Sequence, residues 1–194
     1  MIMNVGVYLF TDVELLDFAG PCEVFTTANR LASEGAPFKV FSVAAGAEPV
    51  RTRAGVTIQP DYTFATHPPL DLLLVPGGVV DEVIDDPAVR RWISDVSAAA
   101  RLTASVCNGA FLLAAAGLLD GRRVTTHWED VDALRTRFPN LNVEEGPRWV
   151  DQGEVVTSAG VSAGIDMSLH LVGRIHGEAL AQATARQMDF QRTL

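Results

Sequence analysis

The chain has 194 residues, 48% of them hydrophobic and 20% charged, with a formal net charge of −9. That length and balance predict one domain over 1–194 with a single sizeable core, and the acidic surface argues against nucleic acid as a partner. Two cysteines and four histidines, with no CxxC pair, argue against a disulfide scaffold or a metal centre, so no metal and no cofactor is expected.

Met3 to Phe10 is apolar and rich in β-formers, and predicts a buried first strand. Thr11 to Leu16 reads as a turn, and a helix follows from Asp17 or Pro21 to about Ala32, with Pro21 suited to a first turn. Phe38 to Ala45 predicts a second strand. Gly46 to Pro60 reads as a small hairpin with arms at Val50–Arg53 and Val56–Gln59. Leu70 to Val75 is apolar on both faces, as a central parallel strand must be, and runs into Pro76-Gly77-Gly78. Asp86 is a plausible N-cap for a helix from Pro87 to about Ala100.

Leu102 to Val106 predicts a strand, Cys107 a sharp turn, and Asn108 or Gly109 the start of a helix that stops at Gly117. Arg122 to Thr126 reads as another strand, and His127 opens a helix ending near Phe138-Pro139. Arg148–Asp151 and Glu154–Ser158 form a hairpin around Gln152-Gly153. A last helical region runs from about Ser162 to Gln191, with Gly173 or Gly177 as a point of bending. Strands alternating with helices predict a layered α/β domain with a mostly parallel sheet. No apolar run reaches a membrane span, and Met1–Phe10 has no basic start of a signal peptide. A cytoplasmic protein without a membrane partner is expected.

The chemistry centres on Cys107. A sulfur between a strand end and a helix start resembles a nucleophile elbow, and the helix N-terminus would favour its thiolate. In a parallel sheet, the loops after Phe10, Val75 and Val106 open on one edge. Asp17, framed by apolar Leu16 and Phe18, would there have a raised pKa suited to proton transfer, or would serve only as a helix cap. The Gly78 and Asn108 amides could form a donor pair for a developing negative charge, or the glycines could merely close a tight turn. His127, after the next strand, reads as a base, a substrate contact, a neutral donor or a packing residue. Cys22 and the three tryptophans read as core or interface side chains.

Val75-Pro-Gly-Gly78 followed by Ala104-Ser-Val-Cys107-Asn-Gly109 resembles the ThiJ/PfpI superfamily, which has a glutamine-amidotransferase-like fold. Leu15-Leu-Asp17-Phe-Ala-Gly-Pro21-Cys-Glu-Val-Phe25, Ala115-Ala-Gly-Leu-Leu-Asp-Gly121 and Thr125-Thr-His-Trp128 look like the branch holding isonitrile hydratases and the ligand domains of AraC-type regulators. The resemblance implies a flavodoxin-like three-layer sandwich, a homodimer, no metal, and Asp17 as the acidic partner of a nucleophilic Cys107. The peptidase branch has His directly after the nucleophile, where this chain has Asn108, so an adjacent general base is absent. The hydratases have Thr there, and Asn keeps a backbone donor and a polar side chain. No helix-turn-helix pattern follows the last helix, so the DNA-binding module of the regulators is not expected.

These readings lead to a cysteine-dependent hydratase that converts a small isonitrile to an N-substituted formamide. Asn108 or His127 would contact the substrate. The alternatives are another cysteine hydrolase, a glyoxalase- or deglycase-like enzyme on the same fold, or a non-enzymatic dimeric ligand or redox sensor.

Overall fold

A computed structural model describes residues 2–33 and 35–193. In chain order the elements are β1 (Met3–Leu9), α1 (Leu15–Leu31), β2 (Phe38–Ala44), β3 (Val50–Arg51), β4 (Thr57–Ile58), β5 (Tyr62–Thr63) and β6 (Leu72–Val75). They continue with α2 (Pro87–Ala99), β7 (Leu102–Ser105), α3 (Gly109–Ala115), β8 (Arg123–Val124), α4 (Val131–Arg137) and β9 (Asn142–Val143). The chain closes with β10 (Trp149–Asp151), β11 (Val155–Ser158), α5 (Ala163–His176) and α6 (Glu178–Gln187).

Seven strands form the main sheet in the order β10-β11-β7-β6-β1-β2-β5. Every pairing in it is parallel except β10 with β11. This is the layered, mostly parallel α/β domain that the alternating pattern predicts, and the flavodoxin-like sandwich that the resemblance implies. The central strands are buried throughout, Leu72 to Val75 and Val5 with Val7 being sealed from water. Burial on both faces is what turns a parallel strand into a continuous apolar run. Helices α1, α5 and α6 pack on one another, and α2 packs with α3.

Several boundaries differ from expectation. Helix α1 starts at Leu15, which puts Pro21 inside it rather than in its first turn. Its start is anchored from outside: the Glu14 amide donates to the Gly77 carbonyl at 2.9 Å, and Val13 bridges Gly78. The predicted strand at Arg122–Thr126 shrinks to β8, which leaves the main sheet and pairs in parallel with β9. The helix expected from His127 begins as a 3-10 turn over Trp128–Asp130 before α4. The C-terminal helical region breaks at Gly177, whose φ of 98° ends α5 and starts α6. Asp86 does cap α2, its Oδ1 accepting from the Ala88 amide at 2.8 Å. No helix among the described residues is long and apolar enough to cross a membrane.

Candidate active site

Strands β1, β6 and β7 end on one edge, so the loops after them meet there. The first two are zipped together: the Val13–Gly78 bridge is flanked by Glu14 donating to Gly77 and Val79 donating to Asp12. This lays the first turn of α1 over the Pro76–Gly78 turn. Asp17, in that first turn, is 0% exposed, and its Oδ2 accepts the Gly77 amide at 3.1 Å. Its Oδ1 is buried with no hydrogen-bond partner among the described residues. Burial is the main cause pushing the Asp17 carboxyl up to about 7, with the Glu14 charge adding and the Gly77 and Cys107 hydrogen bonds opposing.

Cys107 is 8% exposed and has a φ of 56°, the left-handed turn expected at a nucleophile elbow. Its amide donates to the Ala159 carbonyl at 3.2 Å, and its carbonyl accepts the Thr126 hydroxyl at 3.0 Å. The turn is therefore fixed from both sides. The backbone amides of Asn108 and Val161 act on the sulfur in the direction that favours its anion. They do not prevail. Burial first, and the Asp17 charge second, push the Cys107 thiol up to about 12. The expectation of a resting thiolate is thus corrected: a short helix end counts for less than desolvation beside a carboxylate.

A second correction concerns Gly78. Its amide was expected to face a reacting group, but it donates to Asn108 Oδ1 at 2.8 Å while Asn108 Nδ2 donates back to the Gly78 carbonyl at 3.0 Å. Asn108 therefore clamps the Gly77-Gly78 turn with its side chain and turns its amide to the sulfur. Gly77 makes this convergence possible, because a Cβ there would collide with Asn108 Oδ1 and lie 2.9 Å from Asp17 Oδ2.

His127 lies on the far side of the Cys107 turn. Its ring packs against Gly160, the residue before Val161, and its Nδ1 accepts the Glu129 amide at 3.4 Å. A neutral imidazole accepting at Nδ1 carries its proton on Nε2. Together with Trp128, Pro147, Arg148 and Val161 it lines a cleft of about 300 Å³. Trp128 is 70% exposed, so of the core and interface roles expected for it the core one does not hold. Cys22 is partly buried on α1 and takes no part.

Two participants carry no sequence signal as side chains. Val161 contributes only its amide, and Asp130 bears on the sulfur by charge, further raising its pKa. A signal for Val161 existed in the pattern: Val155–Ser158 followed by a turn and a helix repeats the layout around Cys107. Its φ of 45° matches that of Cys107. With a thiol, a carboxyl able to change protonation near neutrality, and two amides on the sulfur, the site can perform nucleophilic addition coupled to proton transfer.

A sequence model of the DJ-1/PfpI family matches residues 3–174. An isonitrile hydratase from Pseudomonas putida is 35% identical over 191 residues, covering 98% of this chain and 79% of that protein. The helix-turn-helix-type transcriptional regulator CdhR from Pseudomonas aeruginosa is 32% identical over 184 residues, covering 95% of this chain and 54% of the regulator. Among solved structures, a ThiJ/PfpI family protein from Pseudomonas syringae superposes with a TM-score of 0.88 at 29% identity, over 100% of this chain and 77% of that one.

Proposed function

Since the chain belongs to the DJ-1/PfpI family, we propose that it is a cysteine-dependent hydratase that adds water to a small isonitrile and releases an N-substituted formamide. The observation that carries this reading is the buried Asp17 carboxyl beside the Cys107 thiol, with a pKa near neutrality and one oxygen unpaired. The likeness to the Pseudomonas putida isonitrile hydratase over nearly the whole chain supports it.

Ionised Asp17 takes the Cys107 proton as the sulfur attacks the terminal carbon of the isonitrile. The S–C bond forms, and the electron pair left on that carbon receives the same proton back from Asp17, giving a thioimidate. Asp17, again ionised, removes a proton from water as the water oxygen adds to the thioimidate carbon, and passes that proton to the nitrogen. The tetrahedral adduct collapses, the C–S bond breaks, the hydroxyl proton returns to the sulfur through Asp17, and the formamide leaves. The Asn108 and Val161 amides hold negative charge on the sulfur as it enters and leaves. His127 and the cleft beside it receive the substituent on nitrogen.

The test is turnover of cyclohexyl isocyanide, followed as formation of N-cyclohexylformamide. Wild-type protein is expected to produce it, and a folded Cys107→Ala variant to fall to background. Absence of turnover by folded wild-type protein would overturn the reading, as would full activity in the variant. The likeness to a regulator over 95% of this chain favours one rival, a ligand-binding domain. That rival predicts saturable binding without product.

The working unit in this reading is a homodimer in the cytoplasm. Leu16, Val79 and Trp128 are exposed apolar side chains, each next in sequence to Asp17, Gly78 or His127. Apolar groups gathered at one edge suit coverage by a second copy. Sedimentation is expected to give twice the 20.8 kDa chain mass, and a monomer at assay concentration would remove the dimer from the proposal.

A further inference from the structure

A second cavity opens on the same edge of the sheet, at the ends of β1 and β2 and beneath the loop that precedes α2. Its volume is about 320 Å³. It lies outside the group formed by Cys107, Asp17 and Asn108, and its occupant does not depend on the reaction proposed above.

Tyr8 lines it. The ring is held rigidly, with Phe10, Phe64 and Trp92 at centroid distances of 5.3, 5.7 and 5.4 Å. Tyr8 is 1% exposed, and no group among the described residues hydrogen-bonds its hydroxyl. A buried hydroxyl without a partner is costly, and such groups are otherwise paired with protein, water or ligand. Tyr8 lines this cavity with Asp86, whose charge bears on the hydroxyl, so the cavity is the side from which a partner reaches it.

The wall chemistry restricts that partner. Glu48, Glu82 and Asp86 line the cavity, and no basic side chain does. A concave surface bearing one sign of charge concentrates the opposite ion. These carboxylates are not among any group close enough to ligate a metal, since no such group occurs among the described residues. Phe10 and Val89 supply apolar wall beside them. Asp86 spends Oδ1 on the Ala88 amide, which leaves its second oxygen. Spread carboxylates, an aromatic hydroxyl and apolar wall together suit an organic cation rather than a bare ion.

We propose that this cavity binds a small alkylammonium ion, whose N–H groups donate to the Tyr8 hydroxyl and to the carboxylates of Asp86 and Glu82 while its apolar body lies against Phe10 and Val89. The experiment is calorimetric titration of the full chain with cyclohexylammonium chloride, and with cyclohexanol as the neutral isostere, at constant ionic strength. Cyclohexylammonium is expected to bind saturably and cyclohexanol roughly tenfold more weakly or not at all. Tyr8→Phe removes only the hydroxyl, and Glu82→Gln removes one charge from an exposed side chain. Each is expected to weaken cyclohexylammonium binding by about tenfold. Should Tyr8→Phe fail to fold, the exposed Glu82→Gln variant decides alone. No saturable binding, equal binding of the alcohol, or wild-type affinity in Glu82→Gln or in folded Tyr8→Phe would overturn the assignment.

Discussion

Burial raises the proton affinity of both Asp17 and Cys107; the Asp17 charge raises that of Cys107 further, while the hydrogen bond from Cys107 pulls Asp17 the other way. Near neutrality the site therefore holds a thiol and a carboxyl that is changing state. Only ionised Asp17 can accept the thiol proton, so kcat/KM is expected to rise with pH and reach a plateau above about 7. A profile that falls or stays flat across that range would contradict the role given to Asp17. Stability moves the opposite way. Asp17 holds its proton more tightly folded than unfolded, so its contribution is fully present below about 4 and is lost as pH rises through about 7. Urea unfolding should show Asp17→Asn gaining on wild type between pH 5 and 8 by on the order of 2 kcal/mol. Cys107 and Asp17 were both legible in the sequence, one from its place at a strand end and the other from its apolar frame. The state of the sulfur was not, because desolvation depends on what packs around it. Nor was the clamp by Asn108, whose partner Gly78 lies 30 residues away.

Two neighbouring strand-turn-helix units, β7 with α3 and β11 with α5, build the sulfur's surroundings. Their strands pair in parallel, so their turns lie side by side, and Cys107 bonds to Ala159 across them. Gly160 in the second turn is bare because the His127 ring occupies the space of a Cβ. Gly160→Ala should keep the fold and displace that ring. If His127 contacts the substrate, both Gly160→Ala and His127→Ala raise KM by about tenfold with little change in kcat, the signature of lost ground-state binding. Unchanged KM in both variants would reduce His127 to a packing residue. At this scale the sequence was readable wherever strands were long and apolar, as in β1, β2, β6 and β7. It missed β5 and β9, two-residue strands too short to show any period, and drew β8 too long. It also placed the start of α1 late, because the contacts anchoring that start come from the Gly77–Gly78 turn, not from α1's own residues.

Across the whole molecule, one buried carboxylate joins parts far apart in the chain. Asp166, in the first turn of α5, accepts the Arg148 guanidinium at 2.5 Å on Oδ2 and the Thr193 amide at 3.0 Å on Oδ1. Arg148 precedes β10 and also reaches the Ser162 hydroxyl at 3.4 Å. Ser162 follows Val161, whose amide faces the sulfur. The same ion pair that pins residue 193 and the entry to β10 therefore borders the turn that completes the site. Asp166→Ala strands the Arg148 charge and the Thr193 amide. Because Arg148 is partly open to water, the loss is expected to be about 2–3 kcal/mol, below that of a fully buried pair. Guanidinium unfolding should show a lower midpoint with an unchanged slope. The connection to Val161 adds a kinetic consequence: under conditions where the variant is fully folded, kcat should still fall while KM holds, because the amide at the sulfur is displaced but the substrate cleft is not. Full kcat in the folded variant would mean that the Val161 turn is held by the Cys107–Ala159 bond alone, and that Asp166 serves the scaffold without reaching the chemistry.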